Sequence, residues 1–122
     1  MSTVYTISCG LDCPNVGPVK MDAAKARQLV LDLALEAFPY GHTIREVTGR
    51  WQEEKPRLSP GSNVYSSTIT EPTIEVVWVA ADDQVASGEA HRRVSQLAAA
   101  YKDQACQEAV MVTAQQVDAW RV

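Results

Sequence analysis

Cysteine, positive charge and unbroken hydrophobic sequence are all scarce in this 122-residue chain. There are 3 cysteines, Cys9, Cys13 and Cys106, odd in number and irregularly spaced. "CGLDC" is a C-x-x-x-C spacing, and neither a second pair nor a neighbouring His completes a zinc set. The thiols therefore read as reduced and partly buried, with no metal expected. Against 11 Lys and Arg stand 15 Asp and Glu, a formal net charge of −4. That balance argues against binding long nucleic acid, which calls for a basic surface. It leaves room for a small anionic ligand, since a pocket needs only a few well-placed cations. The longest apolar run, "QLVLDLALEAF", is broken by Asp32 and Glu36. It falls far short of the roughly 20 residues that span a bilayer, so no membrane partner is expected. "MSTVYTISCG" carries no Lys or Arg ahead of its apolar residues, so no secretory signal is read and a cytoplasmic location is expected.

Enzyme templates are absent too. There is no G-x-S-x-G, Walker loop, H-E-x-x-H or G-x-G-x-x-G. His42 follows a helix-ending Pro-Tyr-Gly turn, and His91 lies in a helical segment. No carboxylate has a spacing that marks a general acid, and Glu46 beside Arg45 or Arg50 is most simply a surface ion pair. No catalytic residue and no cofactor is expected on this reading.

Hydrophobic residues make up 46% and charged residues 21%, as in one globular domain, read as residues 1–122. "TVYTISCGL" reads as a strand, ended by "DCPNVGPVK". Asp22 is placed to cap a helix through "AAKARQLVLDLALEAF", with Ala26, Leu29, Val30, Leu33 and Ala37 as its stripe. Leu31, Leu35 and Phe38 fall partly off that stripe, which suits deep burial or a subunit contact. "TIEVVWVAA" is the strongest strand signal, and "VYSSTIT" a local hairpin arm after a loop "EKPRLSPGSN". A second helix is expected over about 85–104, with Val94, Leu97, Ala98, Tyr101 and Ala105 inward and Arg92, Arg93 and Gln96 toward water. "EAVMVTA" is the last strand, with "QQVDAWRV" ambiguous. The order β-α-β-β-α-β is that of an α+β, ferredoxin-like sandwich, an antiparallel sheet with two helices on one face. The other face needs a cover, and a second copy of the chain is the expected one, making the protein oligomeric.

One segment fits its strand poorly. In "YGHTIREVTGRWQEE" neither alternating face is cleanly apolar. Gly49 suggests a bulge that would switch the alternation and bring Arg50 and Trp51 to one site. Arg offers a fork for phosphate and Trp a flat face for a base. The plainer alternative leaves Trp51 in the core and Arg50 across the sheet edge. Two further segments are candidates for a site. "YKDQACQEAV" puts Tyr101, Lys102 and Gln107 at a helix-to-strand junction, where a solvated turn is the plainer reading. "SCGLD" ends the first strand at Gly10, which permits close backbone approach.

The blocks "YTISCGLD", "FPYGHT", "TGRW", "EPT" and "YKDQACQEAV", in that order, span most of the chain. They resemble a small bacterial domain of unknown function with F-P-x-G-x-T, G-x-W and Y-K…Q-E-S-V blocks. They are also similar to the type-one phage Thoeris anti-defence sponge family, which fits better because Arg50 stands beside Trp51. That resemblance implies a phage-encoded protein without enzymatic activity, working in the host cytoplasm. It would bind cyclic ADP-ribose isomers made by TIR proteins and hold them from their effector. It also implies that some members bind cyclic trinucleotides at a separate site and assemble as dimers or as hexamers built from dimers. The resemblance carries binding residues over only where its blocks match, at Arg50 with Trp51 and at "YKDQACQE" with Tyr101, Lys102 and Gln107, and the expected ligand-binding set adds Gly10, Thr48 and Arg45 from the polar strand and the end of the first strand. The alternatives are a small hydrolase or isomerase using His42, Glu46 or Glu108, and a structural phage oligomer.

Overall fold

The chain is described from a computed structural model, over residues 1–12, 21–55, 65–107 and 109–122, with the side chains of 51–55 and 65–69 left aside. Its elements are β1 (Ser2–Gly10), α1 (Ala23–Ala37), β2 (Thr43–Lys55), β3 (Tyr65–Ala80), α2 (Asp82–Ala86), α3 (Glu89–Gln104) and β4 (Met111–Val117). The four strands form one sheet in the order β2-β3-β1-β4, with each neighbouring pair antiparallel. That order and the two long helices make the expected ferredoxin-like α+β fold. The turn-rich segment after Asp12, most of the "EKPRLSPGSN" loop, Cys13 and Glu108 lie outside the described residues.

Alternation decides which side chains meet the helices. Ile7 and Cys9 of β1 and Ile74, Val76, Trp78 and Ala80 of β3 point to them and are buried. From α1 come Ala26, Val30 and Ala34, and from α3 Ala90, Val94, Leu97 and Tyr101. Asp22 caps α1 as expected, accepting from the Lys25 amide at 2.8 Å. The helix stops at Phe38, which is buried and stacks on Trp78 with ring centroids 4.5 Å apart. Cys9 lies in this core, where loss of water pushes its thiol up to about 12, so it stays a thiol.

The structure departs from the sequence reading in five places. The expected helix over 85–104 is two helices, because Gly88 adopts φ +81 at the start of α3. Arg93 does not simply face water: it donates to the Ala37 carbonyl at 3.1 Å and pairs with Glu89 at 2.7 Å, tying α3 to the end of α1. "VYSSTIT" and "TIEVVWVAA" belong to the single strand β3, and β4 runs from Met111 to Val117 rather than starting at Glu108. Gly49 makes no bulge either: the β2–β3 ladder passes through Gly49↔Glu71, Arg50↔Thr70 and Trp51↔Ile69 without an inserted residue. Arg50 and Trp51 therefore have no bulge to bring them to one side.

The register also explains Pro72. β1 pairs with β3 only as far as Gly10↔Thr73, so from Pro72 back to Tyr65 β3 pairs with β2 alone. A proline lacks a ladder donor and is tolerated where the strand becomes an edge. Beyond β1, β2 and β3 thus continue as a two-stranded ribbon that holds Thr48, Arg50 and Trp51.

Phe38→Ala should cost about 3–5 kcal/mol through the lost ring and the cavity beneath α1. Leu35→Ala, on a side chain 62% exposed, should cost well under about 1 kcal/mol. Urea denaturation of both variants checks the difference.

Candidate functional site

Where β1 ends, several polar groups converge around one carboxylate. Glu71 lies on the sheet face away from the helices and is only 8% exposed. Its nearest neighbours on both adjoining strands are glycines. Gly49 is its register partner on β2. A Cβ on Gly10 would lie 2.2 Å from Glu71 Oε1. A side chain at position 10 would therefore occupy the space the carboxylate fills, which is a physical reason for glycine there. A Cβ on Gly49 would come within 2.8 Å of Thr73 Oγ1.

Backbone groups hold this arrangement. The Asp12 amide donates to Glu71 Oε2 at 3.1 Å, and the Leu11 amide donates to the Pro72 carbonyl at 2.9 Å. From the helix side, the buried Tyr101 hydroxyl donates to the Gly10 carbonyl. Gln107 Nε2 donates to the Asp12 carbonyl at 3.2 Å, and its own amide donates to the Lys102 carbonyl at 3.0 Å. The turn after α3 is set by Cys106, whose φ of 52 is left-handed. The end of α3 therefore fixes the β1 terminus, and the β1 terminus fixes the carboxylate. Burial raises the Glu71 pKa above its ordinary 4.5, against the lowering effect of the Asp12 amide. Such a group can take up a proton nearer neutral pH than a solvated carboxylate can.

Gly10, Tyr101 and Gln107, named from sequence, are thus brought into one cluster, with Lys102 exposed beside it. Thr48 is opposite Pro72 and Arg50 opposite Thr70, both exposed and on the adjoining ribbon. Trp51 is one rung further along. Arg45 is set apart, opposite Glu75 and 3.8 Å from its carboxylate. Glu46 does not pair with Arg45 or Arg50 but with Arg27 of α1. Sequence reasoning missed Glu71 and Asp12. "EPT" drew attention as a block, but only the register places its Glu over Gly10. Two glycines inside strands were the available signal: Gly10 was read as allowing a close approach, with no partner named for it, and Gly49 was read as a bulge.

No protein-family profile and no curated protein matches this chain. Solved structures do match in shape. A phage SAM lyase in its apo state superposes with a TM-score of 0.56 at 12% identity, over 93% of this chain and 78% of that one. A phage SAM lyase in complex with S-methyl-5′-thioadenosine gives 0.52 at 14%, over 94% and 81%. B. subtilis GlnK gives 0.50 at 8%, over 95% and 84%. At these identities what is shared is the fold.

The lyase likeness corrects the expectation of a protein without enzymatic activity, since this fold, over most of the chain, is also that of an enzyme. The templates sought in the sequence are local loop motifs of other folds. A carboxylate assembled by strand register leaves no such motif. The resemblance to the Thoeris sponge family gains no support from these comparisons.

A pH dependence follows from Glu71. Its folded pKa lies above the unfolded one, so its protonated form favours the folded state. That contribution is complete below about pH 4.5 and is lost as pH rises through the raised value. Glu71→Gln should remove this loss. Melting temperatures of the two proteins should therefore converge at low pH, with the variant gaining on the parent as pH rises above the ordinary carboxylate range.

Proposed function

We propose that the protein is a phage-type anti-defence enzyme acting on a small nucleoside-type molecule, with Glu71 as its base and S-adenosylmethionine (SAM) as the first substrate to test. The observation that carries this is the buried, glycine-flanked carboxylate of Glu71, held by the Asp12 amide. The shared fold of the phage SAM lyases, one of them solved with a thioadenosine, supports the substrate class. Cleavage of SAM to S-methyl-5′-thioadenosine breaks one carbon–sulfur bond. The electron pair stays on sulfur, and the positive charge of the sulfonium is discharged. In an elimination the four-carbon fragment gives up a proton as its new double bond forms. Glu71 is the base that takes it, and its raised pKa brings it nearer the working pH. Gly10, Tyr101 and Gln107 keep that base in place, and Lys102 and Trp51, the ribbon residue that shares the face of Glu71 by register, border the substrate, whereas Thr48 and Arg50 fall on the opposite face of the ribbon. Arg45, engaged with Glu75, stands outside this set.

Self-association belongs to the same proposal. Among the described residues no helix or strand packs on the face away from the helices, and that face presents Val47, 38% exposed, and Met111, 66% exposed. A ribbon of two strands is marginal alone in water. A second copy of the chain covers both.

Two measurements test the reading. Incubation with SAM should give S-methyl-5′-thioadenosine by mass spectrometry, and Glu71→Gln should slow its release by about a hundredfold or more. Recovery of intact SAM would refute the substrate, and equal rates for the variant would refute the base. Light scattering at micromolar concentration should give a multiple of the chain mass, and a monomer mass would reject the association.

A further inference from the structure

At the opposite end of the sheet from Glu71, the structure holds a cleft of about 620 Å³. Glu71 and Val79, which line the two ends, are eight residues apart on β3, roughly 26 Å along an extended strand. One wall is the segment after β4, Ala119 to Arg121. The lining also includes Phe38, Tyr40, His42 and Trp78. Trp78 is 8% exposed and packed on Phe38, so it is fixed. Trp120 and Tyr40 are 79% and 94% exposed, a large aromatic area for a chain to leave in water beside a cleft.

The charge of the lining is unlike that of the chain. The formal net charge is −4, yet the lining includes Arg93, Arg121 and His42 and no carboxylate. Arg93 is engaged with Ala37 and Glu89. Arg121 has no ion pair among the described residues. His42 Nδ1 lies 2.9 Å from the Phe38 carbonyl, an acceptor, so the proton sits on Nδ1 and Nε2 remains for another partner. Rings with a face to offer, a guanidinium with no ion pair among the described residues and no Asp or Glu in the lining together select for one kind of ligand.

We propose that this cleft binds a small anion carrying a planar ring, the ring stacked on Trp120 and the acid held by Arg121. A phosphate and a carboxylate present the same chemistry to Arg121, so the test includes both. The site is separate from the Glu71 cluster and does not rest on any activity there.

Titration calorimetry uses adenosine 5′-monophosphate against adenosine, and indole-3-acetate against indole. At least one anion should saturate the protein and bind at least tenfold more tightly than its neutral counterpart. Arg121→Ala should abolish that preference, and Trp120→Ala should weaken binding about tenfold or more. Both side chains are at the surface, so both variants should fold. Glu71→Gln should leave the binding unchanged. The proposal is overturned if neither anion saturates, if the neutral rings bind as tightly, if either cleft variant binds like the parent, or if Glu71→Gln removes the binding.

Discussion

The space beside Gly10 is the constraint on which the Glu71 end of the molecule depends. A carboxylate occupies the volume where any other residue would carry its Cβ. β1 stops there: the Leu11 amide still bonds the Pro72 carbonyl in register, and the Asp12 amide turns to the Glu71 carboxylate. The same stop turns β3 into an edge, which is why a proline can follow Glu71 directly. Tyr101 and Gln107 hold the terminus from the far side, so the position of a charged group on the open face is set by residues on the helical one. Substitutions in α3 can therefore reach the carboxylate without touching it.

The two ends of the sheet are built on different principles. At the Glu71 end, backbone amides and glycines position a single ionisable group in a small space. At the other, aromatic packing dominates: Tyr5, Trp78, Phe38 and His42 form a chain of ring contacts that anchors the end of α1. Arg93 reinforces that anchor through the Ala37 carbonyl. The helix layer joins the two ends, since α3 carries Arg93 near its start and Tyr101 near its finish.

Much of the architecture was legible in the sequence because it depends on local patterns. The cap at Asp22, the inward positions Ala26, Val30, Val94, Leu97 and Tyr101, and the alternation of Ile74, Val76 and Trp78 each follow from neighbours a few residues apart, while Ala34 took a place on the first helix that the stripe had given to Leu33 and Ala37. Gly88 was harder to read, since a glycine inside an amphipathic pattern is compatible with an unbroken helix until its φ is known. The polar strand was misread for a related reason. Its mixed faces were attributed to a bulge, whereas its later half, from Thr48 on, belongs to a ribbon beyond β1, where neither face is obliged to be apolar. Gly10, Tyr101 and Gln107 were picked out as isolated oddities. What joins them is Glu71, 61 residues after Gly10 in sequence, and only strand pairing brings the two together. The absence of a catalytic motif carried no weight against an enzyme for the same reason.

The proton affinity of Glu71 is the quantity on which the candidate active site stands. Carbon-13 NMR of the Glu71 carboxyl, followed through a pH titration, measures it directly in the folded protein. A midpoint above the ordinary 4.5 is expected, falling back toward that value in Gly10→Ala, where the added Cβ drives the carboxylate out of its recess. A midpoint at or below 4.5 in the parent protein would mean a solvated or charge-paired carboxylate, and would contradict the assignment of Glu71 as the base.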